Sequence, residues 1–237
     1  MKKFKIITSL LVLVVLTATI NQANAQKAEV EKRLKELGIE NGLDFNNVSE
    51  NSTDYSCNAK FTEITSEKTT VETASFDPLK PEGSQWTLQT VNGKKPSNKY
   101  IKKFNKAHNS NQENNQARPD EDSMKIIEEN EHMLIIGFKY KESDLPKDYK
   151  YLAHCDGEIY VDKEAHRLYK VKFTNSEPLK VKIFNVVKLN MTVELMLSDD
   201  GKTNLIKDVN AVMDAKLLGQ IVEVTEITDY YDYKKVK

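Results

Sequence analysis

The chain has 237 residues, with 35 basic against 36 acidic side chains and 39% hydrophobic residues. That balance argues against a nucleic-acid partner, and the length allows one good hydrophobic core but not two. That hydrophobic fraction is low yet includes enough aromatic and β-branched residues for a folded domain.

Met1-Lys2-Lys3-Phe4-Lys5, the apolar run Ile6 to Ile20 and Ala23-Asn24-Ala25 have the order of a secretory signal peptide over residues 1–25. The run is shorter than the roughly 18 residues that a membrane span requires. No later stretch is long and apolar enough to span, and no cysteine follows the cleavage point to carry a lipid. Without this leader, which holds Lys2, Lys3 and Lys5 and no acid, 32 basic residues face 36 acidic ones, a formal charge of −4. Residues 26–237 then form a single exported domain. In an oxidising compartment Cys57 and Cys155 are expected to pair, which would stabilise the fold by about 4 kcal/mol in the chain-entropy description. The alternative is two separate buried thiols.

From residue 27 to 40 the pattern predicts a helix with Val30, Leu34 and Leu37 on one narrow stripe and Gly38 near its end. Tyr55, Cys57, Ala59 and Phe61 alternate with polar residues and predict a strand, followed by a more polar one over Thr69 to Phe76. Trp86 to Val91 precedes the turn signal Asn92-Gly93. Ser97 is the expected N-cap of a helix whose stripe is Tyr100, Ile101 and Phe104. Residues 109–123 are polar and predict a flexible loop. Strands are expected over Met124 to Ile127, His132 to Tyr140, Tyr151 to Val161 and around Tyr169, Val171 and Phe173.

The longest period-two run is Leu179 to Leu197, where every second residue is apolar except Asn185. At about 3.3 Å per residue a straight strand of this length would span roughly 60 Å, so a bend or bulge is expected near Phe184-Asn185-Val186. Asp199-Asp200-Gly201 closes it as a hairpin turn. Thr203 to Met213 and Gln220 to Thr228 add further strands, and Tyr230 to Tyr233 an aromatic last one. The fold class is therefore α+β, a curved antiparallel sheet of about nine to eleven strands, an unclosed half-barrel, wrapping two short helices. Eight strands at about 4.8 Å spacing are nearly 40 Å wide, and two helices about 10 Å across cover perhaps half of that. The rest of the apolar face needs loops, a partner or a ligand.

The order of elements resembles the LolA/LolB-like proteins, built from an unclosed antiparallel half-barrel with helices on the concave side. The resemblance is carried by Leu152 to Asp162, Leu168 to Phe173 and Pro178 to Met191, and by the box Trp86 to Pro96 with its following helix. It implies a periplasmic carrier that binds lipid or a lipoprotein acyl group, with an envelope protein as a possible partner. No functional residue is carried over from that family.

The residues themselves show no recognisable chemistry. In His154-Cys155-Asp156 neighbouring side chains on a strand point to opposite faces, so nucleophile and base do not converge. His108, His132 and His166 lack metal-ligand spacing and suit surface or capping roles. The acidic runs Asp120-Glu121-Asp122 and Glu128-Glu129 lack a calcium-loop pattern and read as solvated charge. Lys180, Lys182 and Lys188 stand on the wet face, where lysine blocks edge association. The expectation is thus a non-enzyme without cofactor or metal. Its candidate ligand-lining residues are Val181, Ile183, Leu189, Met191, Val193 and Leu195, and its rival reading is an envelope interaction or sensor module with a filled core.

Overall fold

The computed structural model describes residues 25–39, 54–109, 119–145, 147–181, 184–217 and 220–236. The expected leader, except Ala25, lies outside them, as does most of the 109–123 loop. Among the described residues eleven strands form one antiparallel sheet: β1 (Tyr55–Thr65), β2 (Thr69–Phe76), β3 (Trp86–Val91), β4 (Lys125–Glu129), β5 (Met133–Phe138), β6 (Cys155–Asp162), β7 (Arg167–Asn175), β8 (Leu179–Val181), β9 (Phe184–Leu197), β10 (Asn204–Leu217) and β11 (Gln220–Lys235). The strand order is β3-β2-β1-β11-β10-β9-β7-β6-β5-β4, with β8 paired to β9 beside this path. The sheet is open, with β3 and β4 at its edges. Sequence neighbours mostly pair as hairpins, and β1 with β11 joins the two ends of the described sheet strands.

Two α-helices lie on the same face of the sheet. The first, α1 (residues 25–36), places Val30, Leu34 and Leu37 in the main core against Leu134, Ile136, Ile159 and Leu195. It ends in a Schellman motif: Gly38 at φ 71° donates to Lys35 O, and Ile39 donates to Leu34 O at 2.9 Å. His166 caps it further, its Nδ1 lying 2.8 Å from Leu37 O. Arg33 binds both carboxylate oxygens of Glu129, and Lys163 reaches the same group at 2.8 Å. Those two cations hold the Glu129 carboxyl well below the usual range, at about 2. The second helix, α2 (Asn98–His108), starts at Ser97, whose hydroxyl accepts from Tyr100 N as expected. It covers a smaller cluster of Ala74, Leu88, Val91 and Phe104, with Phe61 and Trp86 alongside. Asn109 locks its end to β3, accepting from Trp86 N at 2.9 Å and donating to Trp86 O at 3.0 Å.

The run from Leu179 to Leu197 does not bend as one strand. Two antiparallel strands, β8 and β9, take its place, with Leu179 opposing Val186 and Val181 opposing Phe184. A bulge then extrudes Val187, because Lys188 opposes Asp214 while Val186 opposes Ala215. Val186 is 2% exposed and Val187 is 42% exposed. The bulge shifts the inward phase by one residue, which accounts for Asn185 as the lone polar residue in the odd series. The expected strand over Tyr151 to Val161 is also shorter: residues Lys147–His154 form a 3-10 segment that packs Leu152 into the core, and pairing begins at Cys155. Asp120 to Ser123, expected to be loop, form a capped 3-10 turn.

Cys57 and Cys155 are free, which corrects the expected disulfide. They sit on β1 and β6, five places apart in the strand order, roughly 24 Å along the sheet, whereas a bridge needs Cα atoms within about 7 Å. Burial pushes both thiols up to about 11. In thiol labelling of unreduced protein, neither cysteine is expected to react in the native state and both in guanidinium; a single non-reactive pair after unfolding would restore the disulfide. Leu34→Ala is expected to cost about 2–4 kcal/mol in denaturant unfolding, since Leu34 is 4% exposed within the main core.

Candidate functional site

Register places the inner-face side chains of the central strands in rows. One row runs Val171, Val193, Val209, Thr228 and Phe61; the next runs Phe173, Met191, Ala211, Glu226 and Glu63. A third continues through Leu189, Met213 and Val224. Directly opposed residues share a face, so these rows belong to the face that carries both helices. Burial falls along them. Val171 and Phe173 are buried beneath the α1 side, Met191, Val193 and Met213 are half-buried against that core, small Ala211 is buried, Phe61 is half-buried under α2, and Val209 and Val224 are half-buried outside both clusters. A strip of partly exposed apolar surface therefore lies between the two helices.

Of the sequence-derived candidates, Leu189 and Leu195 are fully buried core. Met191 and Val193 lie at the border of that core, half-buried, and Val181 is half-buried on β8. Ile183 falls outside the described residues, as does Lys182. Lys180 and Lys188 are exposed.

Three carboxylates join this strip, and the sequence reading passed over them. Glu63 stands directly opposite Glu226, and Glu72 opposes Phe61 one row away. Each interrupts an apolar phase: Tyr55, Cys57, Ala59, Phe61, Glu63 on β1; Glu72, Ala74, Phe76 on β2; Val222, Val224, Glu226 on β11. An acid in the inward phase of a strand was the available signal. Among the described residues none of the three forms an ion pair. Glu226 is exposed by area, but the surrounding walls desolvate its carboxyl and push its pKa up, and Glu63 adds to the rise. Desolvation also raises Glu72, with Glu63 adding and Lys103 of α2 opposing. On the other wall, burial pushes the Tyr151 hydroxyl up to about 12, and the Glu226 charge contributes.

The remaining candidates separate. Cys155 is buried, its Sγ 3.6 Å from Tyr151 O, while Asp156 faces Lys139 at 3.3 Å, so the His154-Cys155-Asp156 cluster diverges. His132 makes a surface pair with Glu164. Asp120 and Glu121 are bridged by Lys141 and Lys27. Among the described residues no group of three or more His, Cys, Asp or Glu is placed to hold a metal ion, and no helix is long and apolar enough to cross a membrane. A separate cleft of about 240 Å³ at the end of β9 is lined by Leu197, Leu205 and Tyr233 and crossed by the Asp200–Lys235 ion pair at 3.5 Å.

His108, expected at the surface or as a cap, is half-buried among aromatic rings: stacked on Phe104 at 4.2 Å, 4.9 Å from Phe61 and 6.0 Å from Trp86. Burial lowers its pKa from the ordinary 6.5. The unfolded chain thus takes up a proton that the folded one resists, and stability is lost as pH falls from about 6.5 through the lower folded value. Fluorescence of Trp86, the single tryptophan, is expected to shift across that window, and His108→Phe to abolish the shift.

No protein-family model matches the chain, and no curated protein matches it. Solved structures similar to it include the complex of MucA and MucB from Pseudomonas aeruginosa, at TM-score 0.22 and 9% identity over 78% of this chain and 92% of that one. A crystal structure of MucB in complex with MucA(peri) matches at TM-score 0.20, with the same identity and coverage. The likeness is a loose one of fold.

Proposed function

We propose that this chain is a non-catalytic binding protein that holds an apolar ligand, a lipid or acyl chain, on the inner face of its open sheet between α1 and α2. The observation that supports it is the fall in burial along the rows from Val171 and Phe173 to Val193, Val209 and Val224. Apolar side chains in register, left half-exposed at the centre of a sheet whose flanks are packed, offer a surface that a hydrocarbon chain can cover. Each methylene buried there contributes about 0.8 kcal/mol before the cost of ordering the ligand. The leader over residues 1–25 supports export to a periplasmic compartment as part of this reading. A second reading, an interaction or sensor module, draws on the dry packing of Val30, Leu34 and Leu37 over β5 to β9, which leaves no room for a ligand beneath α1.

Protein purified gently from its own envelope is expected to show a lipid-mass adduct in native mass spectrometry that organic extraction removes. It is also expected to take up a fluorescent fatty acid. Val224→Asp should weaken that uptake about tenfold by placing a charge in the strip, whereas Val212→Asp, on the outer face of β10, should not. A bare protein mass together with no uptake would overturn the proposal in favour of the interaction module.

A further inference from the structure

A site for hydrocarbon alone has no use for Glu63, Glu72 and Glu226. Like charges directly opposite one another on neighbouring strands destabilise a sheet, and Glu63 and Glu226 are so opposed without a cation between them. Carboxylates in the inward phase of three strands are a local cost that a bound positive charge removes. Lys103 lies near Glu72, yet it forms no ion pair with it, so the group as a whole stays anionic.

We infer that the groove takes a cationic amphiphile, a single alkyl or acyl chain bearing an ammonium group. Its chain lies along the row of Met191 and Ala211, flanked by Val209 and Met213, and its ammonium sits among Glu63, Glu226 and Glu72. The inference rests on the binding reading above and names the head group of its ligand. From β9 to β1 is three strand spacings, about 14 Å, which accommodates a medium-length chain lying across the strands with its charged end at the carboxylates. Tyr151 stands in reach of Glu226 on one side and Lys103 in reach of Glu72 on the other. Glu226 and Glu72 are two strands apart, about 10 Å along the sheet, so one ammonium group over β1 is near all three carboxylates.

Titration calorimetry of the full chain with three dodecyl compounds, each below its micelle concentration, tests this: dodecyltrimethylammonium, dodecyl maltoside and dodecanoate. The ammonium compound is expected to bind about tenfold tighter than the maltoside, with dodecanoate weakest. The advantage should shrink in high salt. The double variant E63Q/E226Q should bring the cationic compound to within about twofold of the neutral one, and Glu63→Gln alone should show part of that effect if the double variant fails to fold. Equal binding of all three compounds, or preference for dodecanoate, would overturn the inference while leaving the apolar-ligand reading in place. Binding of none would overturn both. Tighter binding of a lysine-rich amphipathic peptide than of any amphiphile would reassign the groove to a protein partner and overturn the inference.

Discussion

An open antiparallel sheet with an apolar inner face must hide that face from water, and everything else in this structure follows from how little of the chain is available to do so. Val30, Leu34 and Leu37 of α1 carry the main share. Each contributes about 2 kcal/mol when buried against the hydrophobic wall of β5 to β9. Their helix is held in place by polar contacts at both its side and its end: Arg33 on Glu129 beside β4, and His166 on the last carbonyls. On the far side α2 does the same for β1 to β3, through Phe104 and the aromatic group around Trp86.

Neither helix reaches the centre. The consequence is a division of the inner face into two packed flanks and a middle where half-exposed Val209 and Val224 share the face with Glu63, Glu72 and Glu226. Packing explains the flanks without reference to function. The middle is different, because residues such as Val224 and Glu226 stand side by side on one face of one strand, and neither a dry core nor a plain solvent face favours that mixture. Long hairpins make the arrangement possible. β9 and β10 contribute Val186, Leu189, Leu195 and Ala215 to the main core, whereas no described residue of β11 belongs to either buried cluster.

The connection between β3 and β4 joins opposite edges of the sheet, and α2 lies within it. The chirality and shortness of the other connections leave little freedom, since nearly all are hairpins. Bulges at Val187 and Lys207 shift the inward phase of β9 and β10 by one residue.

Period-two alternation and turn residues settled the strands β1, β2 and β7 and the hairpin at Asp199-Asp200-Gly201 from the sequence by itself, because local sterics and solvent exposure act on neighbours along the chain. The helical stripes of α1 and α2, the Ser97 cap and the Gly38 stop were legible for the same reason. So was the arithmetic that two helices leave part of the sheet uncovered. What only the tertiary structure decided involves residues far apart in sequence. The odd place of Asn185 depended on a bulge against Asp214 and Ala215. The separation of Cys57 from Cys155 depended on strand order, which alternation does not encode. The meeting of Glu63, Glu72 and Glu226 depended on register between β1, β2 and β11, strands up to about 160 residues apart. Each acid was visible as an exception in its own strand; that the three exceptions share one groove is a property of the pairing alone.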